Sequence, residues 1–322
     1  MPDAVVIGAG PNGLVAANVL ADAGWSVEVL EAQQEPGGAV RSDRGVHPDY
    51  ISDPFSAFYP LPAVSPVLAC LDLAAEGLRW SHAPCVLAHP LRDGRCAVLE
   101  RRVQETALGL EEFASGDGHA WRDMYEAWGR VGQDLVQAMF TPFPPVRSGL
   151  RLAAKLRAAG GLRLARKLAL PVRRLGDEEF RGEGGRLLLA GNALHADLAP
   201  EAVGSGGFRW LMSMLGHSHG FPVPVGGAGA LTAALVSRLE HRDGALRCGE
   251  RAVSVVVRGG RAMGVRTAGG ETVSARRAVL ADTSAPALYR GSLWARNTCR
   301  PASCGIWSAS SGISRPSRST GR

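Results

Sequence analysis

Short apolar runs separated by glycines open the chain and predict a strand, a helix and a second strand. Residues 3–8 form an apolar run that ends in glycine, which is typical of a buried parallel strand. Residues 12–23 have helical character, and Gly24 follows as a stop signal. Residues 26–30 predict a second strand. A helix that joins two adjacent parallel strands requires a right-handed crossover, so the chain begins with a βαβ unit.

The pattern changes between residues 80 and 221 and then becomes regular again. Residues 80–99 predict short strands around a turn at Asp93 and Gly94, and residues 108–140 predict helices. Beyond residue 222 we expect a helix over 230–240 and hairpin strands over 252–257, 262–267 and 271–274, with glycine pairs at their turns. Residues 278–281 predict a last buried strand.

These elements predict an α/β fold with two domains. Residues 1–79 and 222–290 form a discontinuous, doubly wound nucleotide-binding domain, and residues 80–221 form an inserted α+β domain that takes the substrate. The 322 residues and the apolar fraction of 46% are sufficient for two buried cores.

A glycine cluster follows the first strand and predicts a site for a dinucleotide. Gly8 allows a tight turn, Gly10 lets the backbone approach a diphosphate, and Gly13 lets the helix pack closely on the strand. Asn12 lies in the same turn, at the helix N-terminus, where free N–H groups favour an anion. A glycine-rich turn without a ligand is the alternative.

Three further positions extend this site. Glu31 ends the second strand, 18 residues after Gly13, where an acid binds ribose hydroxyls and disfavours a 2′-phosphate. Gly37 and Gly38 let the backbone pass close to the ligand, and Arg41 can offset phosphate charge. The alternatives are a solvated carboxylate at a strand end and a plain surface turn.

Residues 3–42 resemble the phytoene desaturase-like FAD-dependent oxidoreductases, relatives of the amine oxidase flavoproteins. Residues 222–231 and 249–253 form a second similar block, whereas Ala39 departs from the arginine of many relatives. The resemblance implies FAD as cofactor and removal of hydride from a carbon centre of an apolar small molecule. It also implies that the backbone of Val253 contacts adenine and that Asp282 lies where the last strand returns to the flavin.

No catalytic acid or base, and no metal-ligand cluster, is evident in the sequence. His217 and His219 precede a turn that approaches the flavin in similar proteins, although polar lining or surface is the more ordinary role. Two alternative functions stay open: a catalytically inactive truncated fragment and an amine oxidase-like flavoenzyme.

The family resemblance ends near residue 290, and residues 291–322 contain eight serines and no acid. We therefore expect a non-native tail, produced by truncation or a frameshift, and an incomplete substrate domain.

Charge and cysteine content predict the location and partners. The tail carries five arginines and no acid, so most of the net charge of +6 belongs to it, and nucleic acid is not an expected partner. Scattered cysteines and the lack of a signal peptide or an apolar span predict a cytoplasmic protein. Residues 147–174, from Arg147 to Arg174, hold nine basic residues and no acid, which suggests peripheral contact with an anionic membrane or a soluble lid.

Overall fold

The computed structural model describes residues 1–142, 144–158, 161–192, 198–289 and 293. The helices are Pro11–Asp22 (α1), Pro60–Val64 (α2), Pro66–Cys70 (α3), Val103–Glu111 (α4), Asp117–Met139 (α5), Val146–Ala158 (α6), Leu162–Ala169 (α7), Val172–Glu179 (α8), Glu183–Gly191 (α9), Ser205–Ser218 (α10), Gly229–Glu240 (α11) and Ala285–Tyr289 (α12). The strands are Ala4–Ile7 (β1), Val27–Leu30 (β2), Trp80–Ser81 (β3), Cys85–Pro90 (β4), Cys96–Glu100 (β5), Val223–Pro224 (β6), Ala245–Arg247 (β7), Ala252–Arg258 (β8), Arg261–Thr267 (β9), Thr272–Ser274 (β10) and Ala278–Ala281 (β11).

Two compact units divide the chain. The first contains Met1–Ala57, Leu71–Leu78 and Gly226–Arg322, and the second contains Phe58–Cys70 and Arg79–Val225. The sequence-based division places residues 58–70 with the first group. It also places residues 222–225 there, whereas the structure groups both segments with the second unit. The two segments contact each other and Phe221, since the Tyr59 amide donates to the Pro222 carbonyl at 2.9 Å and the Phe58 ring stacks on Phe221. Which unit takes the cofactor and which takes the substrate stays a prediction.

The first unit is built on a parallel sheet with the strand order β11-β1-β2-β7. All four residues of β1 are buried, as the apolar run predicts for a central parallel strand. A second, antiparallel sheet has the order β10-β9-β8, with the predicted glycine pairs at its turns. Val5 and Leu30 of the parallel sheet share a core with Val255 and Val265 of the antiparallel sheet. The α/β fold class is confirmed.

A buried polar network holds α1 against α11 in this unit. The Asn18 amide donates to the carbonyls of Leu14 and Leu235, both at 2.9 Å. Arg238 donates to Asn18 Oδ1, to the Leu71 carbonyl and to Asp22 Oδ2. Because each of these buried groups has a partner, the network fixes how α1 and α11 pack. The start of α1, where the glycine cluster lies, is thereby anchored.

The second unit consists mainly of helices α4 to α10 packed around the β4–β5 hairpin. Its core includes the fully buried rings of Trp121, Phe180 and Trp210. The predicted turn at Asp93 and Gly94 joins the hairpin strands, since the Leu91 amide donates to the Arg95 carbonyl. Helices α8, α9 and α10 did not follow from the sequence pattern.

No helix within the described ranges combines the length and apolarity that crossing a bilayer requires. The cysteines that the structure describes, Cys70, Cys85, Cys96 and Cys248, are not joined in disulfides. The expected non-native tail, residues 291–322, lies outside the described residues apart from Leu293.

Candidate cofactor site

The turn between β1 and α1 contains glycines for steric reasons that the structure makes explicit. Gly8 has a φ of 100°, and a Cβ there would lie 2.6 Å from the Asp282 carbonyl oxygen. A Cβ on Gly13 would lie 2.2 Å from the Gly8 carbonyl oxygen. Both positions therefore exclude any side chain because the protein itself fills the space. At Gly10 a Cβ would lie 3.1 Å from a side-chain atom, Asp282 Oδ2, so a side chain here would crowd the Asp282 carboxylate and not the backbone.

Glu31 connects the end of β2 to the glycine turn. Its Oε2 accepts a hydrogen bond from the Ala9 amide at 2.8 Å, and its Oε1 accepts one from the Gln33 amide at 2.9 Å. The residue is only 9% exposed. Each carboxylate oxygen keeps a second lone pair. Glu31 can therefore accept ligand hydroxyls while it fixes the loop, a structural role that its spacing in the sequence did not indicate.

The second glycine loop lies directly against the first. The Gly37 amide donates to the Ala9 carbonyl at 2.8 Å, and Gly37 and Gly38 have φ values of 113° and 56°. A Cβ on Gly38 would lie 3.4 Å from the Gly10 Cα. The two loops are thus close enough to form one backbone cradle, and its role in holding a dinucleotide stays a prediction.

Arg41 lies elsewhere in the first unit. Its guanidinium is 5.2 Å from the centre of the Phe55 ring, and it lines a separate cavity with Glu35 and Thr232. The structure does not bring Arg41 to the cavity that Gly10 lines. Its predicted role beside a phosphate stays a prediction without geometric support.

The predicted adenine contact, Val253, lies in β8 at an irregularity in the pairing with β9. Ala252 pairs with Thr267 and Ser254 pairs with Arg266, so Val253 has no paired residue in β9. Bulges of this kind redirect the backbone, often beside functional sites. The neighbouring residues Arg251 and Ala252 line the same cavity as Glu31.

Asp282 follows β11 and reaches the start of α1. Its amide donates to the Ile7 carbonyl, and its Oδ2 accepts the Gly13 amide at 2.8 Å. Thr283 Oγ1, next along the chain, is buried and has no hydrogen-bond partner among the described residues. Sequence reasoning found Asp282 through the family resemblance but missed Thr283, Gln33 and Arg251.

Five of the ten predicted cofactor residues line one cavity of about 350 Å³, whereas Asn12, Gly13, Gly37, Arg41 and Val253 do not. Its lining includes Gly8, Gly10, Glu31, Gly38 and Asp282. Leu293 also lines it, and the Leu293 carbonyl accepts the Val255 amide at 2.7 Å. An adenine dinucleotide offers phosphates and sugar hydroxyls. The cavity offers groups suited to them: backbone without side chains, an acid at a strand end and an unpartnered hydroxyl. The residues present therefore fit FAD.

His217, the other sequence candidate, is part of the core of the second unit. Its Nε2 accepts the Trp121 Nε1–H at 2.8 Å, and its ring makes edge contacts with Trp121 and Tyr125. Burial lowers its pKa to about 4, an effect only partly opposed by the nearby carbonyls of Glu100 and Arg101. His217 is thus neutral at pH 7. His219 is exposed and contacts Ser218.

A parallel sheet with a glycine turn after its first strand and an acid at the end of its second is the fold of dinucleotide-binding oxidoreductases. Residues 12–301 match the family described as flavin containing amine oxidoreductase. The chain belongs to this family of FAD-dependent oxidoreductases, and FAD is its cofactor. The match continues past residue 290, where the resemblance seen in the sequence stops.

Individual proteins are similar over most of the chain. A pyridine nucleotide-disulfide oxidoreductase domain-containing protein 2 of Rattus norvegicus is 29% identical over 85% of this chain and 52% of its own. Hydroxyneurosporene desaturase of Cereibacter sphaeroides is 27% identical over 85% and 55%. The chain spans about half the length of these relatives. A crystal structure of an oxidoreductase from Methanosarcina mazei has a TM-score of 0.62 at 16% identity, over 95% of this chain and 64% of that one.

Proposed function

We propose that this protein is a phytoene dehydrogenase-like oxidoreductase that removes hydride from a carbon centre of an apolar small molecule. Loss of a proton from the neighbouring carbon then leaves a double bond. The proposal rests on one observation: Gly10 and Gly38 of the glycine cradle line the same cavity as Glu31. The similarity to a hydroxyneurosporene desaturase supports an apolar substrate.

The residues of the cavity have distinct proposed roles in holding FAD. Gly10 and Gly38 admit the diphosphate to the backbone, and the Asn12 amide at the start of α1 faces it. Glu31 accepts the ribose hydroxyls. The backbone of Val253 contacts adenine beside Arg251. When bound, FAD supplies the redox chemistry, and the protein orients the cofactor and excludes water.

An amine oxidase-like activity is the second candidate, because the matched family is described by amine oxidation. The two candidate activities differ in the substrate that donates electrons to the flavin, which is an amine for the oxidase and an apolar alkene for the desaturase. Amine-dependent production of peroxide by the FAD-loaded protein would support an oxidase. Anaerobic bleaching of the flavin absorbance by an apolar alkene, with no response to amines, would support the desaturase.

A catalytically inactive protein that binds FAD without turnover is the remaining alternative. The test is the purified 322-residue protein loaded with FAD. Retention of flavin without bleaching by amines or alkenes would support this alternative. Bleaching by an alkene would exclude it.

The partner proposed for residues 147–174 is an anionic membrane surface. Much of the positive charge here is neutralised within the second unit, because Lys155, Arg166, Lys167, Arg173 and Arg174 form ion pairs with acids. Leu150 and Leu162, and Val146 just before this segment, are exposed and adjoin arginines in the sequence, and these apolar side chains support interfacial contact. Leu150→Glu should reduce co-sedimentation with anionic vesicles. The exposed Leu108, changed to Glu, is the control.

A further inference from the structure

The carboxylate of Asp282 occupies the start of α1, where anions are favoured. Its Oδ2 accepts the Gly13 amide at 2.8 Å, and the hydrogen bond from its own amide to the Ile7 carbonyl fixes its backbone at the end of β11. A helix N-terminus carries a partial positive charge and free N–H groups. Asp282 therefore supplies from within the protein the negative charge that this position attracts.

The same carboxylate lies beside Gly10, the glycine predicted to admit the diphosphate. A Cβ on Gly10 would lie 3.1 Å from Asp282 Oδ2, and one on Gly13 would lie 3.0 Å from it. Asp282 Oδ2 is thus a charged oxygen in close contact with both glycines of the turn. A diphosphate that approaches Gly10 meets this oxygen.

The charges around the cavity do not compensate for Asp282. Among the described residues that line it, the ionisable groups are Glu31, Arg251 and Asp282. Two carboxylates face one guanidinium, and Glu31 is held in place by the Ala9 and Gln33 amides. An incoming diphosphate adds negative charge to a cavity that is already negative, and like charges at such short range repel each other strongly.

We propose that Asp282 is an internal competitor of the FAD diphosphate: its carboxylate holds the N-terminal amide of α1 in the FAD-free protein and weakens FAD binding. The inference rests on the proposed FAD site. The family resemblance implied that Asp282 is a direct ligand, which would strengthen FAD binding. A competitor weakens FAD binding, so the two roles predict opposite effects of removing the Asp282 charge.

The test is the dissociation constant of FAD for the apoprotein, measured by titration calorimetry. Asp282→Asn keeps the size and the acceptor oxygen but removes the charge, so FAD should bind about tenfold more tightly, or about 1.4 kcal/mol. Asp243→Asn is the matched control. It makes the same change in the same unit at an exposed position with a φ of 59°, which asparagine tolerates, and it should leave the constant unchanged.

Thermal unfolding of the same proteins gives a second readout. The apo form of the Asp282→Asn variant should melt below the parent, because the helix loses a favourable charge. Its melting temperature should nevertheless rise more on addition of FAD. If Asp282 had a purely structural role, the Asp282→Asn variant would show a lower melting temperature as apoprotein and also a smaller rise on addition of FAD. Asp282→Ser, which is also neutral, repeats the comparison if the first variant does not fold.

The possible outcomes distinguish a failure of the competitor role of Asp282 from a failure of the proposed FAD site. Equal or weaker FAD binding by Asp282→Asn, with the control unchanged, overturns the competitor role. If neither the parent nor any variant binds FAD, the proposed site itself is wrong. Tighter binding by the Asp243→Asn control as well would show that net charge, and not the position of Asp282, sets the affinity.

Discussion

The amide of Ala9 and the carboxylate of Glu31 form a buried hydrogen bond of 2.8 Å that joins the glycine turn to the end of β2. The bond spans 22 residues of sequence, and Glu31 lines the cavity proposed for FAD. Glu31 is therefore both a part of the loop scaffold and a candidate ligand, and its substitution should affect stability and cofactor binding together.

Glu31→Ala should weaken FAD binding by roughly 1–3 kcal/mol, because the ribose hydroxyls lose a charged acceptor. The apoprotein should also unfold at a lower urea concentration, since the Ala9 amide loses its partner. Titration calorimetry measures the first effect and urea denaturation the second. Glu112→Gln, at an exposed position in the second unit, is the control and should change neither. Full FAD affinity in Glu31→Ala would remove Glu31 from the site.

Gly10→Val should abolish FAD retention and leave the far-ultraviolet circular dichroism of the apoprotein unchanged. The reason is that a side chain at Gly10 would crowd the Asp282 carboxylate at the edge of the cavity, where the diphosphate is expected. Gly13→Ala should instead disrupt folding, because its Cβ would lie 2.2 Å from a backbone oxygen. Gly129→Ala, at a helical position with open space around it, is the neutral control. A Gly10→Val protein that purifies yellow contradicts the assignment.

Arg238→Gln should destabilise the first unit by about 3 kcal/mol, the cost of breaking a buried ion pair and its hydrogen bonds. The side chain of Arg238 is 8% exposed and serves three acceptors. Arg242→Gln is a matched control, since Arg242 pairs with the same Asp22 but is 52% exposed. It should cost less than about 1 kcal/mol. Equal urea midpoints for the two variants would show that the network does not carry this stability.

His217 should make the protein less stable in mild acid. The unfolded chain takes up a proton near the ordinary histidine pKa of 6.5, whereas burial keeps the folded pKa at about 4. The stability that is present above pH 6.5 is therefore lost as the pH falls through 6.5 toward 4, by up to roughly 3 kcal/mol. His217→Gln keeps an acceptor for Trp121 and should flatten this part of the profile. His82→Gln, at an exposed position, should follow the parent in urea unfolding across the same pH range.

The beginning of the first unit could be predicted because its signals are local. The run of apolar residues in β1, the glycines of the turn and the acid at the end of β2 all lie within 31 residues. Strand β7 was missed because it has three residues, Ala245–Arg247, and none of them is fully buried. Helix α10 was missed because it is buried on nearly all sides and includes Ser213 and Arg209, so no apolar face stands out.

The sequence could not predict which side chains meet at the site, because these contacts join residues that are far apart in the chain. The Gly13 amide and Asp282 are 269 residues apart, and no local pattern indicates that they meet. The guanidinium of Arg41 lies over the Phe55 ring and Arg41 lines a different cavity, a placement that the sequence pattern around Arg41 did not indicate. In both cases the packing of distant segments decided which side chains line the cavity.

The hydrogen bonds from Ala9 to Glu31 and from Gly37 to Ala9 set the shape of the cradle before any cofactor arrives. A preformed cradle has little conformational entropy left to lose on association. The association rate constant of FAD should therefore stay nearly constant across variants of the lining residues. Differences in affinity should appear mainly in the residence time of the bound flavin.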